Sequence, residues 1–179
     1  MRDTATMRNW QEKDFDDIED KRVWDFMDNS LSFSPYNENQ EFIITPPPPC
    51  KSFDTSSFFG DNYSQDLYDD LEICMIEWFK IISNNKRMYA LNWKHDTYSF
   101  DPYLTFERDK FNEWLAPAFP NGDLLCFLND DFTDGVFGDG WNYRIIIWGE
   151  NLLKAYEKIK PKMLLKSRVV YSVEKLEVK

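Results

Sequence analysis

Ser64–Ser83, SQDLYDDLEICMIEWFKIIS, and Met88–Phe100, MYALNWKHDTYSF, stand four residues apart and carry the change of period that decides the fold. In the first stretch Leu67, Leu71, Cys74, Met75, Trp78 and Ile82 fall on one face of a helix. Ser64 is placed to cap it, Asp66, Asp69 and Asp70 suit the positive end of its dipole, and Asn84 and Asn85 suit its exit. In the second stretch the period drops to two. Met88–Trp93 reads as a strand, Thr97–Phe100 as its return, and Lys94, His95 and Asp96 as the turn of a hairpin.

Working outward toward the C-terminus, Asp101-Pro102 ends the hairpin, and Phe106–Leu115 reads as a short helix or an irregular edge. Pro120-Asn121-Gly122 is a turn before an apolar strand at Asp123–Leu128. Asn129–Gly140 reads as an Asp- and Gly-rich loop, and Tyr143–Trp148 as a β-branched strand broken by Gly149. Leu152, Leu153, Tyr156 and Ile159 outline a last helix that Pro161 terminates, and Met163–Val173 reads as a final strand. Toward the N-terminus, Glu12–Asn29 reads as a helix with Phe15, Ile18, Val23, Trp24, Phe26 and Met27 on its apolar side. Ser30–Tyr36 is turn-like and Glu41–Thr45 a short β-branched run. Residues 46–63 read as a Pro-, Ser- and Asp-rich connecting loop opened by Pro46–Pro49, and residues 1–9 as a flexible tail whose start is open between Met1 and Met7. The order predicts a single α+β domain over residues 1–179. It would hold an antiparallel or mixed sheet of about five strands, with three helices packed mainly on one face.

The composition sets limits on function. Hydrophobic residues are 42% and aromatic residues 17% of the 179, which excludes a chain unable to collapse. With 21 Lys and Arg against 32 Asp and Glu the net charge is −11, which argues against a non-specific nucleic-acid binder. The cations from Lys154 to Arg168 read as a solvated helix end. No apolar run approaches the roughly 18 residues that span a bilayer, and the N-terminus has no apolar signal core, so no membrane partner is expected. Cys50, Cys74 and Cys126 are widely spaced, as expected of reduced thiols in a cytoplasm.

No phosphate-binding, nucleophile-elbow, dinucleotide or zinc motif is present, and no cofactor is expected. The single histidine, His95, sits beside Asp96 at the hairpin turn, where an imidazole can act as acid or base; the plainer reading is a turn histidine. Asp130, Asp131 and Asp134 lie in a loop with Gly135, the composition a hard cation such as Ca²⁺ prefers. The EF-hand spacing nevertheless fails at Phe132 and Trp141, and a solvated turn explains the acids equally well. The tryptophans are mostly core, but Trp93 and Trp141 are placed to stack on a ligand.

These residues also carry a resemblance. The ordered motifs Tyr89-Ala90-Leu91-Asn92-Trp93-Lys94-His95, Tyr98, Phe100, Pro102, Phe119-Pro120-Asn121-Gly122-Asp123, Phe137-Gly138-Asp139-Gly140-Trp141 and Ile147-Trp148-Gly149 resemble the bacterial family catalogued as domain of unknown function 2716. The likeness covers about Tyr68–Pro161. The family pattern has Asp at Asn92, Gln at Lys94 and His-Pro at Asp139-Gly140. The resemblance implies a bacterial cytoplasmic protein and draws attention to the hairpin and the Gly138–Trp141 stretch.

Together these features lead us to expect a non-catalytic acidic protein that sequesters a basic protein partner, as an immunity protein or antitoxin does. Trp93, His95, Tyr98, Asp131, Asp139 and Trp141 are the expected binding residues. The alternative is an enzyme of unfamiliar type, with His95, Asp96 and Asp139 as catalytic candidates and a divalent cation on nearby aspartates. A sugar or nucleoside binder stacking on Trp93 or Trp141 is the third reading.

Overall fold

Side-chain alternation along paired strands organises the molecule, because successive residues of a strand face opposite sides of its sheet. In the computed structural model, which describes residues 8–36 and 42–174, Met88 and Ala90 enter one hydrophobic core while Tyr89 and Leu91 enter another. The same parity runs through the neighbouring strands. Leu125, Phe127, Ile145 and Ile147 join the first core, and Leu124, Cys126, Leu128, Ile146 and Trp148 the second.

The strands are β1 (Gln11–Lys13), β2 (Cys50–Asp54), β3 (Met88–Asn92), β4 (Thr97–Phe100), β5 (Leu124–Leu128), β6 (Gly135–Asp139), β7 (Arg144–Trp148) and β8 (Arg168–Val173). They form one sheet in the order β1-β4-β3-β5-β6-β7-β2-β8. Every pairing is antiparallel. The first face is covered by α2 (Gln65–Ile82), α3 (Glu150–Lys158) and α4 (Lys162–Lys166), and the second by α1 (Ile18–Asn29).

The long helix forms as its sequence dictates. Ser64 Oγ accepts the Leu67 N–H at 3.4 Å, Leu71, Met75, Trp78 and Ile82 are buried, and the Trp78 indole donates to the Ile159 carbonyl at 2.8 Å. Asn84 and Asn85 take left-handed backbone at φ 50° and 59°, the exit that asparagine tolerates.

Several expectations are corrected. The sheet has eight strands rather than about five, and the described residues hold four α-helices rather than three. Gly135–Asp139, read as part of a loop, is the wholly buried strand β6. Cys50–Asp54, read as a connector, is β2, paired on both edges. The first helix begins at Ile18, not Glu12, and Phe15 and Ile18 are exposed while Val23 and Met27 are buried. Phe42–Thr45 is not a strand, although Ile43 and Ile44 pack into the second core; Glu41 lies outside the described residues. Residues 163–166 belong to α4, and Phe106–Leu115 is irregular apart from one bridge, Arg108 to Trp114. Of the expected tail, residues 1–7 lie outside the described residues. Asn9 is anchored, exchanging hydrogen bonds with the Asp101 backbone at 2.8 and 2.9 Å.

One junction ties the two cores together. Gly149, at φ 98°, turns the chain from β7 into α3, and buried Asp134 caps that helix by accepting the Leu152 N–H at 2.8 Å and the Asn151 amide at 3.1 Å. A methyl group on Gly149 would stand 2.3 Å from Asp134 Oδ1 and 2.5 Å from the Thr133 carbonyl. Gly149→Ala is therefore expected to lower stability by about 2–4 kcal/mol. The urea midpoint should drop at unchanged slope; an unaltered midpoint would contradict the strain.

Candidate functional site

A sheet buried on both faces leaves its polar chemistry at strand ends, and the β3–β4 turn is such an end. The turn closes through His95 N–H to the Asn92 carbonyl at 3.0 Å and Asn92 N–H to the Asp96 carbonyl at 3.1 Å. Asn92, His95 and Asp96 line two clefts at once, of about 410 and 340 Å³. The first, between the turn and the segment before α1, holds the cations Lys13 and Lys94 among its acids. The second is lined by Tyr98, Asp109, Glu113, Trp114 and Asp123, and by no Lys or Arg.

The structure also joins the two stretches singled out in the sequence. Trp93 and Trp141 meet edge to face at 5.2 Å, Tyr36 lies 5.3 Å from Trp93, and the Lys94 ammonium sits 4.8 Å over Trp93 and 5.9 Å from Trp141. The left-handed backbone of Lys94, at φ 72°, sits in the turn that carries it there. Trp141 is 39% exposed, and its indole donates to the Gly122 carbonyl at 3.1 Å.

Asp139 is not brought to His95. It is fully buried, lines neither cleft, and accepts the backbone N–H groups of Trp141 and Asn142 at 3.0 and 2.9 Å and the Asn142 amide at 2.9 Å. Its carboxylate builds the β6–β7 turn. Asp130 pairs with Lys86 at 2.9 Å, and exposed Asp131 is held by Thr133, whose hydroxyl keeps that carboxyl below its ordinary range. Asp134 caps α3. Among the described residues no three His, Cys, Asp or Glu groups converge to hold a metal ion. The three thiols are buried and free, and burial raises the pKa of each, that of Cys74 to about 11.

The second cleft has a distinct electrostatic character. Burial, and then the charges of Asp109, Glu72 and Asp123, push the Glu113 carboxyl above its ordinary range. Tyr98 donates its hydroxyl to Asp96 at 3.2 Å, and burial followed by that carboxylate pushes the phenol up to about 12. Asp109 uses one oxygen to accept the Phe111 and Glu113 N–H groups, at 2.8 and 3.1 Å. Asn92, Asp109, Glu113 and Asp123 escaped the sequence reading of the site, and Trp114 was read there as core. The alternation of Asp109, Phe111 and Glu113 was the one local signal. The β3–β5 register, with Asn92 opposite Leu125, brings Asp123 to the hairpin.

Comparison with known proteins accords with these positions. Residues 14–153 match the family described as protein of unknown function, DUF2716, and the chain belongs to that family. The uncharacterized protein YxiI of Bacillus subtilis strain 168 is 34% identical over 160 residues, spanning 87% of this chain and 96% of that protein. No solved structure matches. Both clefts fall within the family match, apart from Glu12 and Lys13.

Glu113 offers a direct check on the cleft. Its folded pKa is raised, so the folded state keeps this proton to higher pH than the unfolded chain does. The group's contribution to stability therefore falls as pH rises from the ordinary glutamate value through the folded one. Carbon-13 titration of the Glu113 carboxyl is expected to show a midpoint above about 4.3, and Asp123→Asn should lower it. A midpoint at or below the ordinary value would contradict the like-charge environment.

Proposed function

We propose that the protein is a non-catalytic acidic binding protein that sequesters a basic protein partner, in the manner of an immunity protein or antitoxin. The observation that carries this reading is the second cleft, where Asp96, Asp109, Glu113 and Asp123 line one concavity that contains no Lys or Arg. On a chain of charge −11 such a concavity focuses the field and speeds encounter with a cationic surface. Neither cleft is lined by a serine or cysteine, and His95 faces Asp96 without a nucleophile beside it. Three free, buried thiols suit action in a reducing cytoplasm. No helix among the described residues is long and apolar enough to cross a membrane.

Rim charges act chiefly on association rate and salt dependence. Tagged protein incubated in host lysate is expected to retain one stoichiometric protein of basic composition at low salt and to lose most of it at high salt. A well-folded bait that retains nothing, or whose partner is acidic and insensitive to salt, would overturn the reading.

A further inference from the structure

The second cleft contains more than acids. Asn92 lines it, is only 8% exposed, and its Oδ1 has no hydrogen-bond partner among the described residues. Trp114 lines it too, 1% exposed, with its indole N–H likewise unpartnered. Buried polar atoms are nearly always satisfied, and an unmatched one at a cleft wall is where a ligand group belongs. Here an orphaned acceptor stands among carboxylates, so the missing group is a donor, and a cationic one.

We propose that this cleft is a guanidinium site, filled by an arginine side chain of the basic partner; the proposal rests on the sequestration reading above. Four features favour an arginine over a metal ion or a lysine. The cleft's acids do not converge as metal ligands do, but spread around a volume of about 340 Å³. A guanidinium offers five N–H donors in a planar fork, whereas an ammonium is a point charge. Phe111, Trp114 and Pro117 supply apolar wall, and a weakly hydrated planar cation stacks on aromatic rings. An arginine residue also brings a backbone carbonyl, the kind of acceptor the Trp114 N–H lacks.

The protein's own cations are engaged elsewhere. Lys94, adjacent to His95, lies over Trp93 and lines only the first cleft. Lys110 lies 5.0 Å over the Phe111 ring, and Arg108 is held by Glu72 at 2.5 and 3.2 Å and by the Asn112 carbonyl at 2.7 Å. The cleft's negative charge is thus left for an incoming group.

The test uses the full chain and a defined probe, N-acetyl-arginine N-methylamide, with its citrulline and lysine counterparts as controls. The arginine probe is expected to bind saturably and to shift the Trp114 indole resonance, assigned with Trp114→Phe. Its affinity should fall roughly tenfold or more in the Glu113→Gln/Asp123→Asn double variant. Neither altered side chain makes a hydrogen bond or ion pair with a described residue, so the variant is expected to melt no lower than the parent. The citrulline probe, isosteric but neutral, should not bind, and the lysine probe should bind several-fold more weakly. No saturable binding of arginine, equal binding to the double variant, or equal binding of citrulline would each overturn the site. Failure of the two proposals is distinguishable. If lysate capture yields the same partner with parent and double variant, sequestration stands and the guanidinium site falls. If the arginine probe binds the cleft but no basic protein is ever captured, the site stands and the partner falls.

Discussion

The rest of the structure depends on the burial of one sheet on both faces. In a sheet with one wet face a strand alternates apolar and polar residues, but here both parities of the central strands must be apolar. β3, β5 and β6 are buried at every residue. Two cores then grow from the same backbone, one under α2, α3 and α4 and the other under α1 and the chain through Ile43 and Ile44. Ionisable groups are thereby expelled to strand ends, which is why His95, Asp96 and Asp123 gather where β3, β4 and β5 terminate.

The same constraint decides which elements were legible. The helix Gln65–Ile82 and the hairpin Met88–Phe100 carry their periods within the local sequence, and both were found almost to the residue. β6 was missed because Gly135-Val136-Phe137-Gly138-Asp139 has the composition of a turn. Its first glycine serves packing instead: a Cβ at Gly135 would lie 2.2 Å from the Trp148 ring and 2.8 Å from the Phe127 carbonyl. β2 was missed because it follows Pro46–Pro49 and mixes Lys51, Ser52 and Asp54 with Cys50 and Phe53. Its strand character comes from β7 and β8 on its two edges, and that pairing is tertiary.

The site was half legible for a related reason. His95 and Trp93 announced themselves as a lone histidine and a tryptophan at a hairpin turn, and Trp141 joins them through a ring contact. Asp131 and Asp139 attracted attention as acids near glycines, yet each spends its oxygens on local turn donors. Aspartate is favoured in turns for that bonding, so clustered aspartates and glycines mark turns as readily as metal sites. Glu113 and Asp123 had no such signal. The irregular stretch holding Asp109 and Glu113 finds the hairpin only through the bridge of Arg108 to Trp114 and the packing of Trp114 against Phe79 and Phe106.

How the molecule treats its acids elsewhere gives the open cleft its meaning. Glu72, 4% exposed at its side chain, is held by both terminal nitrogens of Arg108, Asp134 caps a helix, and Asp139 organises a turn. In those places burial is matched by donors from the same chain. Around Glu113 it is not. Two unit charges 4 Å apart interact by about 1 kcal/mol in water but by about 4 kcal/mol at the effective dielectric near a protein surface. While the cleft is open to water, its carboxylates repel one another only weakly and the cost of leaving them unmatched is small. A partner that covers the cleft removes that water and strengthens every attraction to the group it inserts. Unmatched charge at an open strand end is therefore inexpensive in the free protein and productive on association. A catalytic acid–base pair needs the opposite arrangement, with its groups held in fixed mutual contact before the substrate arrives.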